Sequence, residues 1–186
     1  MEQKMIRLFI AIDMPETIRY EIQGMGRSIP NARPVPDEQL HLTLKFIGEV
    51  ENSRLHYIHE ALNEIRQLPF SLRLQGMGTF PPRGTPRVLW TGATPMENSV
   101  ILRNSIERAL GDIGIPRGKK KYIPHVTLAR LRNSPIRQLQ QFLAGNAFFQ
   151  TADFSVDGFI LYSSRLTSKG AIHTVEASYP LRPADC

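Results

Sequence analysis

The 186-residue sequence predicts an α+β fold in which two similar lobes face each other across a cleft. Strand-like and helix-like runs follow the order strand, helix, antiparallel strands, and that order occurs twice. The pattern His-x-Thr-Leu also occurs twice, at His41 and His125, once in each repeat. No linker is long enough to separate independent units, so residues 1–186 are expected to form a single domain of two interleaved, pseudo-symmetric lobes. Each lobe should carry an antiparallel sheet with helices on its outer face.

The elements follow from hydrophobic spacing. Residues 7–12 are rich in aliphatics and predict a strand, after which Pro15 pre-sets a helix with Ile18, Ile22, Met25 and Ile29 on one stripe. Prolines between 30 and 36 end it. Residues 40–50 predict a strand, and 53–68 a helix in which Leu55, Ile58, Leu62 and Ile65 recur at helical spacing. Strands are expected at 70–74 and 87–91, separated by a loop rich in Gly and Pro over 76–86. The second repeat begins with a helix over 96–113, with Leu102, Ile106, Leu110 and Ile113 inward and Gly114 beyond its end, and continues with a strand over 122–131. Ser134 and Pro135 announce a helix carrying Ile136, Leu139 and Leu143, and strands over 154–162 and 171–181 complete the chain.

Composition narrows the chemistry. Cys186 is the only cysteine and the last residue, which excludes an internal disulfide, a four-thiolate zinc site and a nucleophilic cysteine within the fold, and fits a reducing cytoplasm. The apolar run 8–12 is too short for a signal-peptide core, and no stretch approaches the roughly 18–20 apolar residues of a membrane span, so a soluble, cytoplasmic protein is expected. A net charge of +6 favours polyanionic partners without choosing among them.

His41-Leu42-Thr43-Leu44 and His125-Val126-Thr127-Leu128 both lie in predicted strands. Side chains alternate on a strand, so His41 and Thr43 share one face, as do His125 and Thr127, while the aliphatic residues between them face the core. A single His-x-Thr on a strand is commonly an ordinary half-buried histidine. Two His-x-Thr-Leu matches among five histidines are expected by chance on the order of once in several thousand chains, and here they occupy matching elements of two repeats. Opposed across a cleft, the two pairs suit a tetrahedral anion. Each hydroxyl can donate to a non-bridging oxygen, one neutral imidazole can take a proton from an attacking oxygen, and the other, protonated, can give one to the leaving oxygen. An unperturbed pKa of about 6.5 suits histidine to both tasks, and the near symmetry of the pair leaves open which does which.

The segments 7–12, 33–36, 40–50, 86–90 and 124–130 resemble the bacterial and archaeal RNA 2′,3′-cyclic phosphodiesterases, formerly called 2′-5′ RNA ligases, of the 2H phosphoesterase superfamily. The resemblance runs from the first strand to Ser163-Ser164-Arg165-Leu166. It implies a bilobal fold, no metal or other cofactor, and hydrolysis of a terminal 2′,3′-cyclic phosphate to a 2′-phosphomonoester. It further implies that His41 is the proton donor and His125 the proton acceptor. A 5′-hydroxyl in place of water would form a 2′-5′ linkage by the same geometry. RNA ending in a cyclic phosphate, tRNA fragments among such substrates, is the implied partner, with the protein a monomer.

The flanking residues each have a plainer reading. Arg130 matches the family and a guanidinium fork suits phosphate, yet strict alternation puts it on the face opposite His125. Either the strand twists or ends there, or Arg130 acts on the phosphate through another residue. Alternation also places Lys45 with His41, where a solvated strand-end lysine is the equal alternative, and Phe46 with the buried Leu42 and Leu44. Phe9, Phe46 and Trp90 are candidates for stacking on a base, although core packing is the commoner fate of such residues. Lys119-Lys120-Lys121 either steers RNA or is a solvated loop. The stretch 114–119 resembles a phosphate loop but fails on spacing, and Lys120 stands where Ser or Thr is needed. His56 and His59 lie three apart on a helix with no third metal ligand in view, and His173 is a candidate for the substrate side. Two rival readings keep the motifs: a cyclic phosphodiesterase acting on nucleotides or other small phosphodiesters, and a non-catalytic RNA-binding protein.

Overall fold

The structure is a computed structural model describing residues 4–168 and 170–183, so Cys186 and Lys169 lie outside the described residues. Nine strands and four α-helices are present among them: β1 Met5–Asp13, α1 Glu16–Ile22, β2 Ala32–Pro34, β3 His41–Glu51, α2 Leu55–Asn63, β4 Phe70–Phe80, β5 Val88–Thr94, α3 Glu97–Asp112, β6 His125–Leu131, α4 Ile136–Gly145, β7 Phe154–Val156, β8 Gly158–Thr167 and β9 Gly170–Pro180. The strands run in the order β7-β4-β5-β6-β3-β1-β8-β9, with β2 added to β6. All of the pairings are antiparallel.

Two four-stranded halves, β3-β1-β8-β9 and β6-β5-β4-β7, meet where β3 and β6 pair through Leu42 and Val126 alone. Each half draws strands from both sequence repeats. A single cluster of buried apolar residues underlies both halves, with Ile10, Leu42, Leu89, Val126 and Leu161 fully buried. Helix α3 lies against β3 and α2 through Leu102, Ile106 and Leu110, its residues at i, i+4 and i+8, which form one stripe at 3.6 residues per turn.

Several elements depart from the expected boundaries. Helix α1 ends at Ile22, because Gly24 and Gly26 adopt φ of 66° and 86°, and Ile29 reaches the core from the following turns. The helix expected over 53–68 is preceded by a 3₁₀ turn at Asn52–Arg54 and stops at Asn63. Strand β4 runs on through part of the expected loop to Phe80, the glycine at 76 being absorbed as a bulge between Gln75 and Met77. Arg33 and Pro34, within the proline-rich break, form β2, and the strand expected over 154–162 is split into β7 and β8.

The most consequential departure is a pair of bulges at matching positions. Thr43 pairs with Ala11 and Lys45 with Ile10, leaving Leu44 as an extra residue. Thr127 pairs with Trp90 and Ala129 with Leu89, leaving Leu128 as the extra one. Both extra residues stand three beyond the motif histidine. An extra residue turns two consecutive side chains inward and reverses the alternation beyond it. Leu44 and Lys45 are accordingly both buried, as are Leu128 and Ala129, while Phe46 and Arg130 turn outward.

This corrects the faces assigned by strict alternation. Lys45 lies in the core, where its Nζ donates to Glu107 Oε2 at 2.7 Å and to the carbonyl of Pro116 at 2.8 Å. Phe46 is 71% exposed on the side of His41 instead of packing with Leu42 and Leu44.

Candidate active site

The crossing of β3 and β6 builds the site. Antiparallel pairing of Leu42 with Val126 sets His41 beside Thr127 and Thr43 beside His125, and all four are half-buried on one face. The core face of the same segment carries Leu42, Leu44, Val126 and Leu128, which anchor it at 2% exposure or less.

Each imidazole is fixed in the same way. His41 Nδ1 lies 2.7 Å from the carbonyl oxygen of Gln39, and His125 Nδ1 lies 2.7 Å from that of Ile123. A carbonyl oxygen can only accept, so both Nδ1 atoms carry the proton and donate it, and both Nε2 atoms are free for proton exchange. These carbonyls left no mark in the sequence, since any residue two positions before the histidine supplies one.

The surroundings of the two rings differ. His41 sits among aromatic rings, 5.0 Å from Phe9 and 5.6 Å from His173 between centroids, with Tyr162 stacked on Phe9. His125 is met edge-on by Phe80 at 5.0 Å and by Trp90 at 6.1 Å. Trp90 lies across Gly78, where a Cβ would collide with the indole, so the absence of a side chain lets the ring stack on Phe80. Of the stacking candidates, Phe9 is buried against His41 and Trp90 is half-buried beside His125. Phe46 alone presents an open face.

A cavity of about 670 Å³ opens on the His41 side. Its lining includes His41, Thr43, Thr127 and Arg130 together with Phe9, Phe46 and His173. His125 is not among its lining residues. Arg130, returned to this face by the bulge at Leu128, pairs across β2 with Arg33, and Arg7 also reaches the cavity. Like charges directly opposite one another are unfavourable by themselves, and a bound anion relieves them. Beyond the family resemblance, Arg7 and Arg33 carry no signal of their own in the sequence, and chain folding brings them to the cleft.

Burial shapes the titration of the site. His41 is pulled down from 6.5 to about 4, first by burial, with the positive charges of His173, His125 and Arg130 adding to the effect and the Gln39 carbonyl opposing it. His125 and His173 are also lowered by burial, His125 with the Ile123 carbonyl working in the other direction.

A buried ionic network stands behind the face. Glu107 accepts from Lys45, from Arg103 at 3.0 Å and from the backbone N–H of Gly118 at 3.3 Å, so its carboxylate is fully served. Tyr122 donates to the carbonyl of Thr43 at 3.3 Å beneath the Arg103 guanidinium. The network ties the strand of the first motif to the loop that leads into the second.

The other histidines stand apart from the site. His56 pairs with Glu60 on an exposed helix face, and His59 Nδ1 lies 2.7 Å from the Tyr179 hydroxyl. Among the described residues no group of three or more His, Cys, Asp or Glu could hold a metal ion, and no helix is long and apolar enough to cross a membrane. Lys119, Lys120 and Lys121 are exposed outside the cavity lining.

Known proteins share both the sequence and this architecture. A Thermus thermophilus protein named RNA 2′,3′-cyclic phosphodiesterase is 37% identical over 95% of this chain and 91% of its own length. An Archaeoglobus fulgidus protein of the same name is 32% identical over 90% of this chain and 96% of its own. The crystal structure of TT0787 from Thermus thermophilus superposes with a TM-score of 0.81 at 32% identity, covering 96% of this chain and all of that one. Escherichia coli LigT complexed with 3′-AMP superposes with a TM-score of 0.77 at 28% identity, over 96% of this chain and 99% of its own. With residues 15–167 matching the description 2′-5′ RNA ligase superfamily, the chain belongs to that family.

Proposed function

We propose that this protein hydrolyses the 2′,3′-cyclic phosphate end of RNA to a 2′-phosphomonoester and a free 3′-hydroxyl. The observation that carries this reading is the pairing of two imidazoles, each with Nδ1 held by the carbonyl two residues earlier and each beside the threonine of the other motif. The names of the full-length relatives support the substrate.

The position of the cavity supports the division of labour. In a cyclic phosphate the leaving 3′-oxygen belongs to the terminal ribose, so the nucleoside and the leaving oxygen lie on the same side of phosphorus. The cavity large enough for a nucleoside opens beside His41 and excludes His125 from its lining. In this reading His41 protonates the 3′-oxygen as its bond to phosphorus breaks, and His125 takes the proton from water attacking on the opposite side. Thr43 and Thr127 donate to the non-bridging oxygens, and Arg130 balances their charge.

No step calls on a metal. A 5′-hydroxyl entering in place of water would be joined through a 2′-5′ linkage. We place the enzyme in the cytoplasm as a monomer and a single domain of two interleaved lobes, with tRNA fragments among its substrates.

The test incubates an oligonucleotide bearing a 2′,3′-cyclic phosphate with the protein in EDTA and identifies the product phosphate. Conversion to the 2′-phosphomonoester is expected. No turnover, a 3′-phosphate product or a strict metal requirement would overturn the proposal. Mononucleotides turned over better than oligonucleotides would favour the small-phosphodiester alternative.

A further inference from the structure

Strands β1 and β8 pair only from Leu8 to Ala11 against Ser163 to Ile160, although both continue well beyond Leu8 and Ser163. Past that point β8 stays paired with β9 out to Thr167 and β1 stays paired with β3 out to Met5. The β1–β3 and β8–β9 strand pairs therefore splay apart and leave a notch of about 420 Å³ between them.

The notch is continuous with the catalytic cavity, for Arg7, Ser164, Leu166 and Ile172 line both. Its own walls add Arg165, Ser163 and Thr174. The edge of β1 turned toward it forms no ladder with β8 beyond Leu8 and so leaves backbone donors and acceptors open. Glu49 is the one carboxylate among the lining residues and stands opposite Arg7 across the β1–β3 ladder. Leu166 and Ile172, 65% and 46% exposed, supply apolar surface where the two spaces join.

Arg7, Arg165, Ser163, Ser164 and Thr174 beside an open strand edge suit a charged diester and ribose hydroxyls, with Met5, Ile6, Leu166 and Ile172 supplying the apolar remainder of the lining. We infer that this notch is a second subsite, which binds the phosphodiester linkage and ribose immediately 5′ of the terminal nucleotide, with Arg165 on the linkage phosphate. The inference rests on the proposed reaction at His41 and His125 and extends it. The enzyme selects an RNA chain over a mononucleotide because the splayed strand pairs continue the cleft by one residue of substrate.

The experiment compares kcat/KM for a mononucleoside 2′,3′-cyclic phosphate, for the dinucleotide with the same end, and for that dinucleotide with an uncharged methylphosphonate linkage. We expect the dinucleotide to exceed the mononucleotide by about 10-fold or more, the size of one charge-assisted contact. Arg165→Ala should abolish most of that gain while leaving the mononucleotide rate unchanged, and should reduce the salt slope of the dinucleotide by about 0.7. The neutral linkage should lose the same gain and show no further loss in Arg165→Ala. Equal rates for mononucleotide and dinucleotide, or an Arg165→Ala effect of the same size on both, would overturn the subsite and leave the proposed chemistry standing. No turnover of any of the three would overturn both.

Discussion

Strands β3 and β6 begin as near copies: the first six residues of each share one burial pattern, a histidine and a threonine on the open face and a bulge three residues past the histidine. Their histidines even bond to the same backbone position. They part at the residue that each bulge returns to the open face, which is Phe46 on β3 and Arg130 on β6. Equal scaffolds thus carry unequal ends, one apolar beside the cavity and one cationic. In the proposed reaction the symmetry supplies the two proton-transfer groups, and its breach gives the substrate a direction.

Removing either copy of the shared part should do the greatest damage. His41→Ala and His125→Ala are each expected to lower kcat by ~10² to 10⁴ while RNA binding persists, as measured by single-turnover assays alongside a binding titration. A variant of either kind that kept its rate would break the equivalence of the two strands.

Only β3 carries a charge beneath its bulge, where β6 has Ala129. Lys45→Met alone leaves the Glu107 carboxylate buried without its main counter-charge and should cost about 3–5 kcal/mol in chemical denaturation. The double change Lys45→Met with Glu107→Leu should recover most of that loss. If the double variant unfolds as easily as the single, the pair contributes more than mutual neutralisation.

Unequal burial of the two rings also appears in stability against pH. The unfolded chain protonates His41 near 6.5 and the folded chain only near 4, so the unfolded state binds more protons in that window. Stability is fully present above about pH 6.5 and falls as pH drops toward 4, by up to roughly 3 kcal/mol for His41. Denaturation across this range should show the slope, and His41→Asn should flatten it more than His125→Asn. The same lowering places the bell of kcat/KM on the acid side of 6.5.

The smallest effect separates the two returned residues. Phe46→Ala should lose ~1–3 kcal/mol of transition-state stabilisation on base-bearing substrates only. Arg130→Ala should weaken every cyclic phosphate, including ribose 2′,3′-cyclic phosphate without a base. Identical profiles for the two variants would remove the assigned direction.

The sequence made the repeated part legible and the broken part obscure. His-x-Thr-Leu, its placement on strands and the aliphatic backing are all written in residue types and a period of two. The bulges are not, because Leu44 and Leu128 are ordinary strand residues and the extra residue shows only against its partner strand. Counting by two therefore puts Lys45, Phe46 and Arg130 on the wrong faces, and for Arg130 only the family resemblance points back to the phosphate. Which strands join which motif depends on long-range pairing of β8 with β1 and of β5 with β6. His173, a substrate-side candidate in the sequence, lies with its ring 5.6 Å from that of His41, while Gln39 and Ile123 act through backbone atoms that carry no sequence signal.

The central claim is that like-built histidines are made unlike by their surroundings, His41 serving the leaving oxygen and His125 the water. The most direct measurement replaces the 3′-oxygen of the cyclic phosphate by sulfur, which departs without needing a proton, and compares the rates of His41→Ala and His125→Ala on the two substrates. The account predicts that the sulfur substrate restores much of the rate to His41→Ala and little to His125→Ala. Restoration of His125→Ala, or equal restoration of both, would contradict it.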